Sequence, residues 1–138
     1  MYIDANIFIF AAADTGKTGD QCRDIITRLE NKRLSAASSY LVIDEVLWVL
    51  QHEIGRADAV RATRMILSLP VRWMDVKRDV TVTALRLYET TDLDPRDAFH
   101  VAVMQTAGLT TILSEDSDFD SIQGIQRIPP AHLLEDLE

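Results

Sequence analysis

The sequence predicts a three-layer α/β/α fold built on a central, mainly parallel sheet. Three observations lead to it. Short apolar segments alternate with longer stretches of helical spacing along the 138 residues. The short segments, Thr110 to Leu113 above all, are apolar on both faces, as strands covered on both sides must be. Nothing in the chain reads as a linker, an internal repeat or a low-complexity tract, so residues 1–138 are expected to form a single domain.

The elements follow in order. Met1 to Ile3 leads into a first strand ending near Asp4 or Ala5, and the apolar run Ile7 to Ala13 is a short helix broken by Asp14-Thr15-Gly16. Asp20 to Asn31 sets Cys22, Ile25, Ile26 and Leu29 at helical spacing. Leu34 to Ala37 is expected as the second strand. Ser38 or Ser39 can then cap a long helix from Tyr40 to about His52, which Gly55 ends. Ala57 to Leu69 is a further helix stopped by Pro70, and Val71 to Val76 is a strand. Val80 to Thr90 is helical, with Val80, Ala84, Leu87 and Tyr88 on one side. Asp94-Pro95 opens an apolar helix to Ala107, terminated by Gly108. Thr110 to Leu113 is a buried strand followed by an acidic turn, Ser114 to Asp120. Gln126 to Ile128 forms the last strand, and Pro129-Pro130 introduces a C-terminal helix. Trp48 and Trp73 are assigned to the core.

Composition bounds the function classes. A hydrophobic fraction of 47% with 26% charged residues is ordinary for a soluble globular protein. No apolar run approaches the roughly 18 residues that cross a bilayer. Asp4 stands where a signal peptide would carry its basic region, so a cytoplasmic protein is expected. Cys22 is the sole cysteine and can form no internal disulfide. The net charge of −8 opposes phosphate backbones, so a nucleic-acid reading must explain the acids. Bound metal ions would do so by inverting the local charge.

In parallel sheets, ligands bind at the carboxyl ends of the strands. Asp4 ends the first strand, with Asn6 two residues on. Asp116 follows the strand Thr110 to Leu113. Asp97 lies in the first turn of the helix that begins at Pro95, and Glu45 lies in the first half of the Tyr40 helix. Each acid has a plainer explanation. Asp4 can cap the segment after it, and Asp97 can complete a capping arrangement with Asp94 and Pro95. Glu45 can be a solvated helix position, with Asp44 as its rival for the site. Asp116, Asp118 and Asp120 can be a polar turn. Together the plain explanations are weaker, because several sequestered carboxylates destabilise one another unless a cation compensates. All-oxygen ligands select hard cations, here Mg²⁺ or Mn²⁺.

Other motifs fall away. Gly16-Lys17-Thr18 resembles the end of a P-loop, but the first glycine of that motif would fall at Ala11, and Gly19 stands where a helix should be starting. Asp116-x-Asp118-x-Asp120 resembles the start of an EF-hand loop, yet Ser121 replaces the glycine and Arg127 the bidentate glutamate. His52, His100 and His132 have no metal-ligand spacing; His100, one turn after Asp97 on the same helix face, is read as a packed residue or one that supports the ligands from behind, not as a ligand. Asn6 occupies the second position of an Asp-x-Asp strand end, which removes the general acid of phosphatase-like chemistry.

Four segments in sequence resemble a PIN domain: Tyr-Ile-Asp-Ala-Asn-Ile-Phe at 2–8, Asp-Glu-Val-Leu-Trp-Val-Leu at 44–50, Asp-Pro-Arg-Asp-Ala-Phe-His-Val-Ala at 94–102 and Ser-Glu-Asp-Ser-Asp-Phe-Asp at 114–120. The resemblance spans essentially the whole chain, and the compact size is most similar to the VapC-type toxins of toxin–antitoxin pairs. It implies an acidic quartet at Asp4, Glu45, Asp97 and Asp116, with Asn6 supporting it and Ser114 standing where the family often has Thr. Asp118 remains an alternative to Asp116, and Asp44 to Glu45. The implied activity is endonucleolytic hydrolysis of RNA with Mg²⁺ or Mn²⁺, in which Asp4, Asp97 and Asp116 ligate metal and Glu45 positions the attacking water. Arg96 or Lys17 would hold the RNA backbone. The resemblance further implies a homodimer with a VapB-type helical antitoxin. The rival readings are a non-toxin PIN nuclease of RNA maturation or turnover and a degenerate scaffold that only binds a partner.

Overall fold

The computed structural model describes all residues from Met1 to Glu138. Five short strands, β1 (Tyr2–Ile3), β2 (Ala37–Ser39), β3 (Arg72–Met74), β4 (Thr111–Leu113) and β5 (Gln126–Ile128), form one sheet in the order β3-β2-β1-β4-β5. Every pairing in it is parallel. The helices are α1 (Ala5–Ala13), α2 (Lys17–Glu30), α3 (Tyr40–Glu53), α4 (Arg56–Leu67), α5 (Arg78–Thr90), α6 (Pro95–Thr106) and α7 (Pro130–Asp136). They pack in two sets: α5 against α6, and α1 against α2 and α3, with α4 on α3 and α7 on α2. The three-layer α/β/α fold expected from the alternation is the one observed.

The chain runs outward from β1 through β2 to β3, then returns to the other side of β1 for β4 and β5. The order therefore reverses between β1 and β4, and a crevice opens at the carboxyl ends of that pair. Register places the site residues there. Tyr2 lies opposite Ile112 and Ile3 opposite Leu113, so Asp4 and Ser114 emerge side by side. The Asp4 N–H donates to the Leu113 carbonyl at 3.1 Å, the last ladder bond before the strands part. Beneath that edge Tyr2, Ile3, Ile112 and Leu113 are fully buried. Burial of four such side chains contributes about 1.5–3 kcal/mol each, which holds a sheet of two- and three-residue strands together.

Several expected elements are displaced. The second strand is Ala37–Ser39 rather than Leu34 to Ala37. Its serines are buried, which apolar patterning cannot find, and the pairing of Ala37 with Tyr2 sets its place. Ser39 occupies the N-cap of α3 but its hydroxyl does not cap the helix; it meets the Tyr2 hydroxyl at 2.9 Å, while Ser38 donates to the Ile3 carbonyl at 2.8 Å. Gly55, at φ +83°, is the N-cap of α4, while α3 ends at Glu53 with Ile54 as its C-cap. Trp48 is not core: it is 58% exposed, because α3 turns Val42, Val46 and Leu50 inward and Trp48 away from them. Tyr88 of α5 is likewise exposed. Trp73 is half-buried, its ring 6.0 Å from that of Phe8 and 6.2 Å from that of Tyr40.

Helix α2 begins at Lys17, three residues before the expected start, and Gly19 lies inside its first turn. The helix does start where a P-loop would need it to. The phosphate position is nevertheless taken by the protein itself: Asp14 accepts from the N–H of Gly16 at 2.9 Å and of Gly19 at 2.8 Å. Gly19 has no room for a side chain, since a Cβ there would lie 2.0 Å from the Asp14 carbonyl oxygen. Gly19→Ala is expected to destabilise the fold by about 1–3 kcal/mol, read as a lower urea midpoint. An unchanged midpoint would show that the Asp14 loop yields freely.

Candidate active site

The crevice between β1 and β4 collects acids from four separated segments. Asp4 is the N-cap of α1 and is only 5% exposed. Its Oδ1 accepts the Ala5 N–H at 2.7 Å; its Oδ2 accepts Asn6 Nδ2 at 2.8 Å and the Ser114 hydroxyl at 2.7 Å. The capping explanation of Asp4 is thus true, and the same carboxylate also stands at the crevice. Three hydrogen bonds do not offset its desolvation: burial raises its pKa, and the nearby Glu45 carboxylate adds to the rise while His100, Ser114 and Ala5 oppose it.

Ser114 is the junction of the floor. Fully buried, its hydroxyl donates to Asp4 and takes bonds from Asn6 Nδ2 at 2.9 Å and from the Asp116 N–H at 3.0 Å. The Asn6 side-chain oxygen reaches the Glu115 N–H at 3.4 Å. Asp116 then caps a single 3₁₀ turn, Ser117–Ser121, by accepting the Asp118 N–H at 2.9 Å. Arg127 of β5 pins this turn from outside, with both oxygens of Asp120 at 2.8 Å and the Ser114 carbonyl at 3.2 Å. The guanidinium holds the Asp120 carboxyl below its ordinary pKa.

Asp97 stands in the first turn of α6, where its plainer role was capping. Asp94 does occupy the N-cap, but its side chain makes no capping hydrogen bond. Asp97 is half-buried and its pKa is pushed up to about 7, chiefly by burial, with Asp4, Asp116 and Glu45 adding to the rise and His100 opposing it. Glu45 of α3 comes from the far side, its Oε2 3.2 Å from His100 Nε2. Its rival Asp44 is exposed, with only Arg96 at 3.9 Å. Arg96 also stands 3.8 Å from Glu45 Oε1, a cation on the rim. Lys17 is exposed at the start of α2.

The acids form two adjoining groups rather than one ring. Ligand atoms of Asp97, Asp116 and Asp118 lie within 4.8 Å of one another, and so do those of Asp4, Glu45 and His100. Asp97 feels both. Asp116 and Asp118, alternatives in the sequence, stand together in the first group. This donor set fits a hard divalent cation: five carboxylates, two of them driven toward protonation by burial, with Arg96 as the fixed cation beside them. Outside the site, burial pushes the Cys22 thiol up to about 12, helped by Glu115 and Asp14, so it stays an unreactive thiol.

His100, Tyr2 and Ser39 are the members the sequence did not single out as working parts. For His100 the sequence leaves a packed and a supporting role open without naming its partners, and the strand signal at Tyr2 says nothing of its hydroxyl. The spacing of Asp97 and His100, three residues apart on one helix, is the one cue that was available.

The chain resembles known proteins over nearly its full length. The PIN domain family model matches residues 1–125. Ribonuclease VapC13 of Mycobacterium tuberculosis is 33% identical over 139 aligned positions, covering 91% of this chain and 97% of that protein. Among solved structures, M. tuberculosis VapC20, described as a Sarcin-Ricin loop cleaving toxin, superposes with a TM-score of 0.73 at 22% identity, covering 87% of this chain and 92% of its own. A toxin–antitoxin complex from Klebsiella pneumoniae does so at 0.67 and 20%, covering 94% and 96%.

Proposed function

This chain belongs to the PIN domain family, and on that premise we propose that it is an endoribonuclease that hydrolyses RNA phosphodiesters, the toxin of a type II toxin–antitoxin pair. The observation that carries the reading is the convergence of Asp4, Glu45, Asp97 and Asp116 at the switch point of the sheet, with Asp4 and Asp97 pushed toward protonation by burial. A protein gains nothing by crowding carboxylates unless a cation joins them.

Asp97, Asp116 and Asp118, together with Asp4, would hold a Mg²⁺ or Mn²⁺ ion. When bound, such an ion supplies positive charge against the phosphate and lowers the pKa of water. The remaining work falls to the protein's own groups. Glu45 Oε1, unengaged apart from the distant Arg96 contact, accepts the proton of the attacking water. Arg96 meets a non-bridging phosphate oxygen from the rim. Asn6 and Ser114 keep Asp4 in one rotamer, and the Arg127–Asp120 pair keeps the Asp116 turn in place. No side chain is placed to act as a covalent nucleophile, so water attacks phosphorus in a single step while the P–O bond to the leaving ribose oxygen breaks, and that oxygen takes a proton from solvent. The charge of −8 is compatible with RNA because contact is local and cation-mediated.

A VapB-type antitoxin is the expected partner, in keeping with solved relatives that are toxin–antitoxin complexes. A homodimer working in the cytoplasm, with residues 1–138 as one domain, completes the reading. No helix is long and apolar enough to cross a membrane. Expression should arrest growth, and co-expression of the antitoxin, encoded by a short reading frame immediately upstream, should relieve the arrest. Purified protein should cut at least one member of a panel of tRNA, rRNA and mRNA. Cleavage without growth arrest would point to RNA maturation or turnover instead. Metal binding without cleavage of any RNA would leave only a scaffold.

A further inference from the structure

A buried chain of side chains ends on the site. Tyr2 on β1 and His100 on α6 have no solvent exposure. The Tyr2 hydroxyl lies 2.9 Å from Ser39 Oγ and 2.8 Å from His100 Nδ1. The other ring nitrogen, Nε2, lies 3.2 Å from Glu45 Oε2 and 3.9 Å from Asp4 Oδ1. A carboxylate only accepts, so Nε2 carries a proton. In a neutral ring Nδ1 is then the acceptor, Tyr2 donates to it, and Ser39 donates to Tyr2. In a charged ring Nδ1–H donates to Tyr2 and Tyr2 to Ser39. Both arrangements give each of these bonds one donor and one acceptor, and in both Nε2–H is directed at Glu45. The sense of that last bond is therefore independent of the charge on the ring. A nitrogen that carries a proton has no lone pair for a metal, so His100 is not a ligand although it lies among ligand-type atoms.

We propose that His100, braced by Tyr2 and Ser39, is a positioning residue for Glu45: it occupies Oε2 and leaves Oε1 as the single oxygen turned to the reacting water. This rests on the nucleolytic reading of Glu45. The need for such a brace is physical. Glu45 is a long side chain on a helix, 23% exposed, with the Arg96 guanidinium 3.8 Å away to draw it outward. Only a fixed donor on the buried side keeps it in one rotamer. The brace joins β1, β2, α3 and α6, so the position of Glu45 is tied to the sheet and not to its own helix alone.

The test compares His100→Phe with His100→Gln, each alone and combined with Glu45→Gln, in steady-state cleavage of RNA with Mn²⁺. Phenylalanine keeps the ring volume and leaves Tyr2 its bond to Ser39, but removes the donor. The glutamine amide puts an N–H near the position of Nε2. His100→Phe should lower kcat by about 10–100-fold with KM unchanged. His100→Gln should recover most of that loss, and in the Glu45→Gln background the Phe substitution should change nothing further. A loss of the same size in both backgrounds, or none in either, overturns the proposal. Nitrogen-15 NMR of the metal-free protein gives a second readout that needs no RNA. It should show a proton on His100 Nε2 whose shift moves in Glu45→Gln; an Nε2 without a proton overturns the proposal. If the NMR result holds while the wild type cuts no RNA, the nuclease reading has failed and the role in positioning a reacting water falls with it, but the His100–Glu45 bond stands.

Discussion

Asp97→Asn is expected to reduce RNA cleavage by at least about a hundredfold while raising the melting temperature of the metal-free protein near neutral and alkaline pH. The two effects have one origin. Burial and three neighbouring carboxylates push Asp97 up to about 7, whereas the unfolded chain ionises it near the ordinary aspartate value of about 3.9. For an acid raised in this way the folded state holds the proton longer. Stability therefore falls as pH rises from about 4 to about 7, and above that range the full penalty is present. Asparagine never ionises, so it removes the penalty at about pH 8 and changes little at about pH 4. Because Asp97 is only half-buried, solvent screens the effect to about 1 kcal/mol, a few degrees for a chain of this size. Calorimetry at the two pH values checks the stability half. A variant destabilised at both would return Asp97 to a simple capping role.

The second large effect is the response to metal. At a concentration 100 times its Kd, Mn²⁺ or Mg²⁺ should stabilise the protein by about 2.7 kcal/mol, roughly 8 °C, at about pH 8. The gain should shrink toward about pH 5, because the carboxylates must lose their protons to bind and both Asp4 and Asp97 are raised by burial. The direction is opposite to that of the Asp97 contribution in the metal-free protein, which diminishes stability as pH rises. Asp97→Asn should lose most of the gain, and EDTA should abolish both the stabilisation and cleavage. Robust cleavage in EDTA by a clean preparation would end the metal-dependent mechanism.

Periodicity made most elements legible, and where it failed the reason is specific. β2 was misplaced because Ser38 and Ser39 are polar yet buried, each satisfied by a group on β1 that no local pattern reveals. Trp48 was assigned inward on its apolar character, but a helix offers an inner face only to residues at the right angle, and Val42, Val46 and Leu50 already fill it. Helix α2 begins early because Asp14, outside it, accepts the N–H groups of Gly16 and Gly19, with Gly19 allowing the close approach. Asp4 is open to both a capping and a site reading in the sequence; in the structure it caps α1 and also lies within reach of Glu45 and His100.

By itself the sequence determined the alternation of strands and helices, the order of the four acidic segments and the expectation of a hard-cation site at the carboxyl edge. These follow from local spacing and residue chemistry, which a single chain displays directly. Only the tertiary structure decided which of neighbouring acids stand in the crevice. It turned Glu45 toward His100 and left Asp44 to solvent, and it set Asp116 and Asp118 together against Asp97. It also joined Ser39, Tyr2, His100 and Glu45, residues up to 98 positions apart along the chain between direct partners, into one buried line. Such contacts depend on strand register and helix rotation, so hydrogen bonds across the sheet edge, and not sequence proximity, determine which carboxylates face the site.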